Sequence, residues 1–264
     1  DQTASEIRAL IEAAADSNAF TDADHTKLNS LSLFDDYINV LDYSADNTGS
    51  STAHTQIQNA INAASSANKA VFIPAGNYKI GATLEIPSSI DIAGVGPQSR
   101  LFRDTTVTNK FDFMNVESKS AVTLKDFQID GIEKLNVVFA NFRYSAIRIW
   151  ANGGAQPNNI SLDGIHINRT SSGEYQTNGN RGAVTIEDGY DVSITDCKFW
   201  NNRATVILIK GTDHEPYGIR IENCWGVGDL DGVDGDWTYQ NPSIGFGSFI
   251  GGRGFKEVIV TGCW

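Results

Sequence analysis

SIDIAGVGP from Ser89, AVTLKDFQID from Ala121, NISLDGIHIN from Asn159, DVSITDCKFW from Asp191, GIRIENCWGV from Gly218 and EVIVTGCW from Glu257 can be laid over one another. Each offers two apolar residues one apart, then a polar or glycine turn, then a further apolar residue. In this register Ile90, Val122, Ile160, Val192, Ile219 and Val258 share one column, and Ile92, Leu124, Leu162, Ile194, Ile221 and Val260 share a second. Period-2 alternation makes each stretch a strand with one buried face. The strand pattern stays fixed while its spacing changes, which is the mark of a solenoid whose strands stack in register and whose loops vary in length. An antiparallel sandwich is the alternative, but its strands would not repeat in phase five or six times.

Outward from these stretches, a second set precedes most of them. SAIRIW from Ser145, GAVTIED from Gly182 and TVILIK from Thr205 align through Ile147, Val184 and Ile207, with SIGFGSF from Ser243 a looser fourth. Each coil therefore holds at least two strands, with Asn, Asp and Gly at its corners. The fold expected is an all-β, right-handed parallel β-helix of about six coils, about 25 to 30 Å tall at the inter-strand spacing. Cys197, Cys224 and Cys263 occupy the repeat position of Phe127 and Ile165, and read as a buried ladder of reduced thiols. A disulfide between neighbouring rungs is not excluded on distance alone.

The chain has 264 residues, 41% hydrophobic, with a net charge of -12. That charge argues against nucleic-acid binding, and no apolar run reaches the length of a membrane span. At the amino terminus, Thr3-Ala4-Ser5-Glu6 fits a capping box before Ile7, Leu10, Ile11 and Ala14, and a second helix start lies at Thr21 to Asp24. Residues 1–36 are thus expected to be a short helical connector, and residues 37–264 the β-helix domain. The chain lacks an initiating Met and stops inside a strand pattern at Trp264. It is expected to be a piece of a longer protein, its β-helix truncated at the carboxyl end.

TASEIRALIEAAADSNAFTDADHTKLNSL resembles a connecting segment of phage tail fibres. VLDYSADNTGSSTAHTQIQNAINAA from Val40, then KAVFIPAGNYKI and LEIPSSIDIAGVG, resembles the start of the pectate-lyase-like right-handed β-helix family, which includes many phage tailspikes. Ile57, Ala60, Ile61 and Ala64 form one apolar face of a capping helix over about residues 52–67, with Thr52 as its N-cap. The resemblance implies a phage tail fibre or tailspike component, in the virion and acting outside the cell. It implies a homotrimer that joins other tail proteins through its amino-terminal segment and contacts bacterial surface polysaccharide. The Asn-Thr-Asp and Gly-His-Gly signatures of pectin hydrolases are absent from the sequence. A polysaccharide depolymerase, glycosidase or lyase, and a purely structural spacer remain as alternatives.

If Ile147, Val184 and Ile207 face inward, alternation turns Trp150, Glu187 and Lys210 outward on adjacent rungs. An indole beside a carboxylate and an ammonium group makes a carbohydrate-binding platform, or else a solvated sheet face. Asp188 in one loop and Asp213, His214 and Glu215 in the next leave from the same edge. With Glu187, the carboxylates Asp188, Asp213 and Glu215 are the candidate catalytic groups, since glycosidases need two at about 5 to 9.5 Å. DLDGVDGDW carries Asp229, Asp231, Asp234 and Asp236 before Trp237 and Tyr239. The two aromatics are candidate carbohydrate contacts, and the loop is either solvated or a calcium ligand set. No cofactor or metal motif stands out.

Overall fold

The computed structural model describes residues 3, 5, 36–107, 111–131, 145–168, 182–200, 206–227 and 256–263. The chain divides into two compact units, Asp1–Asp36 and Tyr37–Trp264. The expected connector helices, the looser repeat at Ser243, and the acidic loop with Trp237 and Tyr239 lie outside the described residues.

The second unit winds in triplets. It begins with β1 (Tyr37–Asn39), a 3-10 helix at Val40–Tyr43, β2 (Thr48–Thr52) and an α-helix, α1 (His54–Ala67). The next coil has β3 (Ala70–Phe72), β4 (Gly76–Ile80) and β5 (Leu84–Glu85), and the one after it β6 (Ile90–Ala93), β7 (Ser99–Arg103) and β8 (Met114–Glu117). Then come β9 (Ser120–Lys125), β10 (Gln128–Asp130) and β11 (Ile147–Trp150), followed by β12 (Asn158–Asp163), β13 (His166–Asn168) and β14 (Val184–Glu187). Among the described residues the last full triplet is β15 (Tyr190–Thr195), β16 (Lys198–Trp200) and β17 (Ile207–Lys210); β18 (Tyr217–Glu222), β19 (Trp225–Val227) and β20 (Lys256–Thr261) follow.

Each strand pairs in parallel with its counterpart one coil on, giving three sheets. The A sheet runs β1-β3-β6-β9-β12-β15-β18-β20, the B sheet β2-β4-β7-β10-β13-β16-β19, and the C sheet β5-β8-β11-β14-β17. The fold is the expected right-handed parallel β-helix, the hand that nearly all parallel crossovers take. Both aligned columns hold: Ile160 pairs with Val122 and Val192, and Ile194 with Leu162 and Ile221. These aliphatic side chains are buried, and each contributes about 1.5 to 3 kcal/mol on leaving water. Cys197 and Cys224 are free and buried in the same stack, and Cys263 is partly exposed on the last rung.

A coil holds three strands because each repeat bends in its middle. Asp126, Gly164, Asp196, Asn223 and Gly262 all adopt positive φ, between 52° and 61°. The amide of each of the first four donates to a carbonyl of the next coil, to Asp163, Thr195, Glu222 and Thr261 respectively. Left-handed backbone is open to Gly, and to Asn and Asp at modest cost, which is why these residues recur at the corner. The break separates what reads in sequence as one strand into an A strand and a B strand.

Helix α1 occupies the place of a C strand in the first coil. Ile57, Ala60, Ile61 and Ala64 are buried, as their spacing implies. Gln58 does for the sheet edge what a neighbouring strand would do: its amide donates to the Glu85 carbonyl at 3.0 Å and accepts from the Glu85 amide at 2.8 Å. The first C strand is thereby kept from presenting an open edge. Thr52 does not cap the helix. The N-cap is Ala53, without a side-chain bond, and its amide donates to the Lys79 carbonyl at 2.8 Å, while Thr52 Oγ1 donates to the same carbonyl. Pairing with β4 sets the helix start and leaves the hydroxyl no role there.

Candidate functional site

Met114, Val116, Ile147, Ile149, Val184, Ile186, Ile207 and Ile209 fill the interior behind the C sheet. Alternation then places two columns on its outer face. Asn115, Arg148 and Thr185 follow in register in one, and Glu117, Trp150, Glu187 and Lys210 in the other. Trp150, Glu187 and Lys210 therefore lie on successive rungs, about 4.8 Å apart.

The side chains of these columns are joined to one another. Trp150 Nε1 donates to Asn115 Oδ1 at 2.7 Å, and Asn115 Nδ2 donates to Glu85 Oε2 at 2.7 Å. The Arg148 guanidinium lies over the Trp150 ring, 3.3 Å from its centroid, and reaches Glu187 Oε2 at 3.1 Å. Lys210 Nζ lies 3.3 Å from the other oxygen, Glu187 Oε1. Glu187 is 5% exposed, so its carboxylate sits between two cations with little water. Trp150 is partly exposed, and one of its ring faces is taken by Arg148. The row is thus a bonded strip of indole, guanidinium, carboxylate and ammonium, more enclosed than a solvated sheet face. Thr185 is fully buried, its hydroxyl within 2.7 Å of Ser145 Oγ and accepting from the Gly182 amide.

The loops beside the strip meet across a short turn. Between β14 and β15 only Asp188 and Gly189 intervene. Asp188 has φ 66° and is 1% exposed. A Cβ on Gly189 would press on Ile186, Val192 and Ile149, the nearest at 2.9 Å. Because this turn is so tight, the loop of residues 211–216 passes over it to reach residues 152–156, two coils back. The Gly153 amide donates to Asp213 Oδ2 at 3.0 Å, Gln156 Nε2 donates to the Glu215 carbonyl at 3.1 Å, and His214 Nε2 lies 3.4 Å from the Gly154 carbonyl. Asp188 anchors the crossing loop: its Oδ1 accepts from the amides of Thr212, Asp213 and His214. Glu215 pairs with Lys256 at 2.8 Å on the exposed surface.

The candidate carboxylates are brought to one edge of the C sheet, as their sequence positions suggest, but each has a partner there. Glu187 is clamped by cations, Asp188 binds backbone, Asp213 holds a loop two coils back, and Glu215 pairs with Lys256 of the next coil. Among the described residues no group of His, Cys, Asp and Glu is placed to hold a metal ion. Asn115, Glu117 and Glu85 joined the site unannounced. The signal for Asn115 and Glu117 was MNVE at Met114, which matches IRIW, VTIE and ILIK in its apolar positions, and Glu85 follows from the pairing of Leu84–Glu85 with Met114–Asn115. Asn152 Nδ2 donates to Glu117 Oε1 at 2.8 Å, tying the same loop to the strip.

A family model described as Rhamnogalacturonase A/epimerase, pectate lyase-like, matches residues 37–247. No curated protein matches the chain significantly. Among solved structures, a glycosyl hydrolase candidate from Parabacteroides merdae is 12% identical, with a TM-score of 0.59 over 86% of this chain and 95% of its own. ORF18 of Geobacillus virus E2 is 17% identical, with a TM-score of 0.58 over 93% of this chain and 51% of its own. PfbA, a surface adhesin of Streptococcus pneumoniae, is 14% identical, with a TM-score of 0.57 over 72% of this chain and 49% of its own. The chain spans about half the length of the last two. At these identities the likeness is one of fold.

Proposed function

The chain belongs to the pectate-lyase-like family of rhamnogalacturonase A and epimerase, and from that premise we propose that it is a phage tail fibre or tailspike component whose β-helix contacts polysaccharide on a bacterial surface. The observation that carries this reading is the strip of Trp150, Arg148, Glu187 and Lys210 on the C sheet. It combines an aromatic surface with charged groups whose positions are set by neighbouring rungs, and such preorganised polar groups around an apolar surface suit a sugar's hydroxyls and C–H faces. The viral source of ORF18 and the adhesin description of PfbA are in keeping with it.

Binding is favoured over turnover because of how the carboxylates are held. A glycosidase needs one carboxyl group free to deliver a proton and a second free to attack or to activate water. Glu187 is committed to Arg148 and Lys210, and Asp188 to three backbone amides. Asp213 favours the depolymerase as second reading, since it is exposed and accepts one loop amide. We take the protein to act as a homotrimer in the virion, joined to other tail proteins through residues 1–36, with light scattering as the check.

The test is an array of bacterial surface polysaccharides, scored for binding and for released reducing ends or unsaturated products. Trp150→Ala is expected to weaken binding, while Glu187→Gln, Asp188→Asn, Asp213→Asn and Glu215→Gln leave no turnover to lose. Product release by the parent, abolished in one of the four carboxylate variants, would replace the adhesin with the depolymerase. Neither binding nor product would leave the β-helix as a spacer.

A further inference from the structure

The outer face of the B sheet carries a second concentration of rings, away from the C-sheet strip. His166, Lys198 and Trp225 follow one another in register on β13, β16 and β19, and Trp200 lies two residues beyond Lys198 on the same face. The Trp200 ring meets His166 edge to face, with centroids 5.1 Å apart at 66°, and meets Trp225 in the same way at 5.9 Å and 79°. Three rungs thus present one continuous run of rings. All three are partly exposed, and Lys198 stands exposed among them.

One polar atom in this run lacks a partner. His166 Nδ1 is buried and makes no hydrogen bond. A buried polar atom left unpaired is costly, so the edge of this ring gains from a shift that brings Nδ1 to a water or to a ligand hydroxyl. Burial, and after it the charge of Lys198, lower the proton affinity of His166, against a smaller opposing effect of Asp126. The ring at neutral pH is therefore a neutral imidazole, able to donate from one nitrogen and accept at the other.

Two indoles, a neutral imidazole and one ammonium group select among occupants. A nucleic acid is disfavoured by the net charge of -12. A second copy of the chain would bury Lys198 at the centre of the contact, where interfaces are depleted of lysine. A saccharide suits the set: its C–H faces lie on the indoles and the partly exposed imidazole edge, and its hydroxyls reach the exposed ammonium. We propose that Trp200, Trp225 and His166 form a second, non-catalytic saccharide-binding strip on the B sheet. It takes another segment of the polysaccharide held at the Trp150 strip, and so rests on the carbohydrate reading above. Two strips on one chain raise the hold on a long polymer beyond that of either alone.

The experiment measures affinity for a bacterial O-antigen or capsular oligosaccharide, the best binder from a printed array, by calorimetry. Trp200→Ala and Trp225→Ala are each expected to weaken binding about tenfold or more, as truncation of an anchoring aromatic does. Trp225→Phe keeps a ring and should retain most of the affinity. Lys198→Glu, on an exposed side chain that leaves the fold intact, should also weaken it. Thermal unfolding at the parent's midpoint certifies each variant. If Trp150→Ala weakens binding while Trp200→Ala and Trp225→Ala match the parent, the strip is refuted and the tail-adhesin reading stands. If the parent binds no member of the array, both fall. If Trp225→Ala changes the oligomeric state in light scattering and leaves glycan affinity untouched, the rings are a contact between copies and the proposal is overturned.

Discussion

Replacing Asp188 with Ala removes the acceptor for the amides of Thr212, Asp213 and His214, all of which converge on Oδ1. A hydrogen bond to a carboxylate contributes about 1.5 to 3 kcal/mol net. Three such bonds do not simply add, because they share one oxygen and the loop they hold is exposed, so water replaces part of the loss. The expected cost is about 2 to 4 kcal/mol, with about 1 kcal/mol more for Ala at φ 66°, a backbone conformation that Asn and Asp accept more readily. Asp188→Asn keeps a carbonyl oxygen at the same place and should cost about 1 kcal/mol, the charge-assisted part of the bonds. The two variants also separate the roles open to this residue. A loop anchor makes the Ala variant unstable and the Asn variant nearly normal in binding. A catalytic carboxylate would make both variants inactive at full stability. Urea unfolding supplies the free energies, and hydrogen exchange should rise at residues 212–214 and, through the contacts of Asp213 and Gln156, at residues 152–156. Parent-like stability of Asp188→Ala, with unchanged exchange in both loops, would refute the anchoring argument.

Arg148→Ala leaves the 5% exposed Glu187 with Lys210 as its remaining cation and strips one face of Trp150. An uncompensated charge costs more the less water reaches it, and Glu187 is more buried than Arg148 or Lys210, so Arg148→Ala should lose about 2 to 3 kcal/mol and Glu187→Gln, which strands the two more exposed cations, less, by denaturant titration. Gly182→Ala should destabilise by more than about 2 kcal/mol, because the new methyl meets backbone atoms of Val184, Val206 and Leu208, which cannot give without moving two C strands; calorimetry would show a lowered midpoint. The Asp46 carboxylate, held down to a pKa of about 2 chiefly by the Thr48 hydroxyl and by the amides of Ser51 and Thr48, is lower than its ordinary 3.8. Its contribution to stability is complete above pH 3.8 and lost as pH falls through about 2, and Asp46→Asn should flatten that part of the acid unfolding curve. His166 is also depressed below 6.5, so the unfolded chain takes up its proton first. Stability should therefore fall as pH drops below 6.5, and His166→Gln should reduce the slope in that window.

The inward columns from Ile90 to Ile219 and from Ile92 to Ile221 were legible because burial demands apolar residues at a spacing of two, and a stack repeats that demand on every coil. The register of Trp150, Glu187 and Lys210 was legible for the same reason, since once Ile147, Val184 and Ile207 share a column their outward neighbours must share one as well. The helix face of Ile57, Ala60, Ile61 and Ala64 announced itself through its own period. The third sheet was hidden, because the corner at Asp126, Asp196 and their equivalents is a single residue of positive φ, and a string of letters carries no φ. Nor could sequence say that Arg148 would lie on Trp150, or that Asp188 would hold the loop of the next coil. Those depend on which rotamers meet across rungs and on a two-residue turn short enough for loops two coils apart to touch. Hydrophobic periodicity writes the stack into the chain residue by residue, whereas polar pairing is decided between residues 25 to 60 positions apart, as in Asp188 with Asp213 and Gly153 with Asp213, after the stack has brought them together.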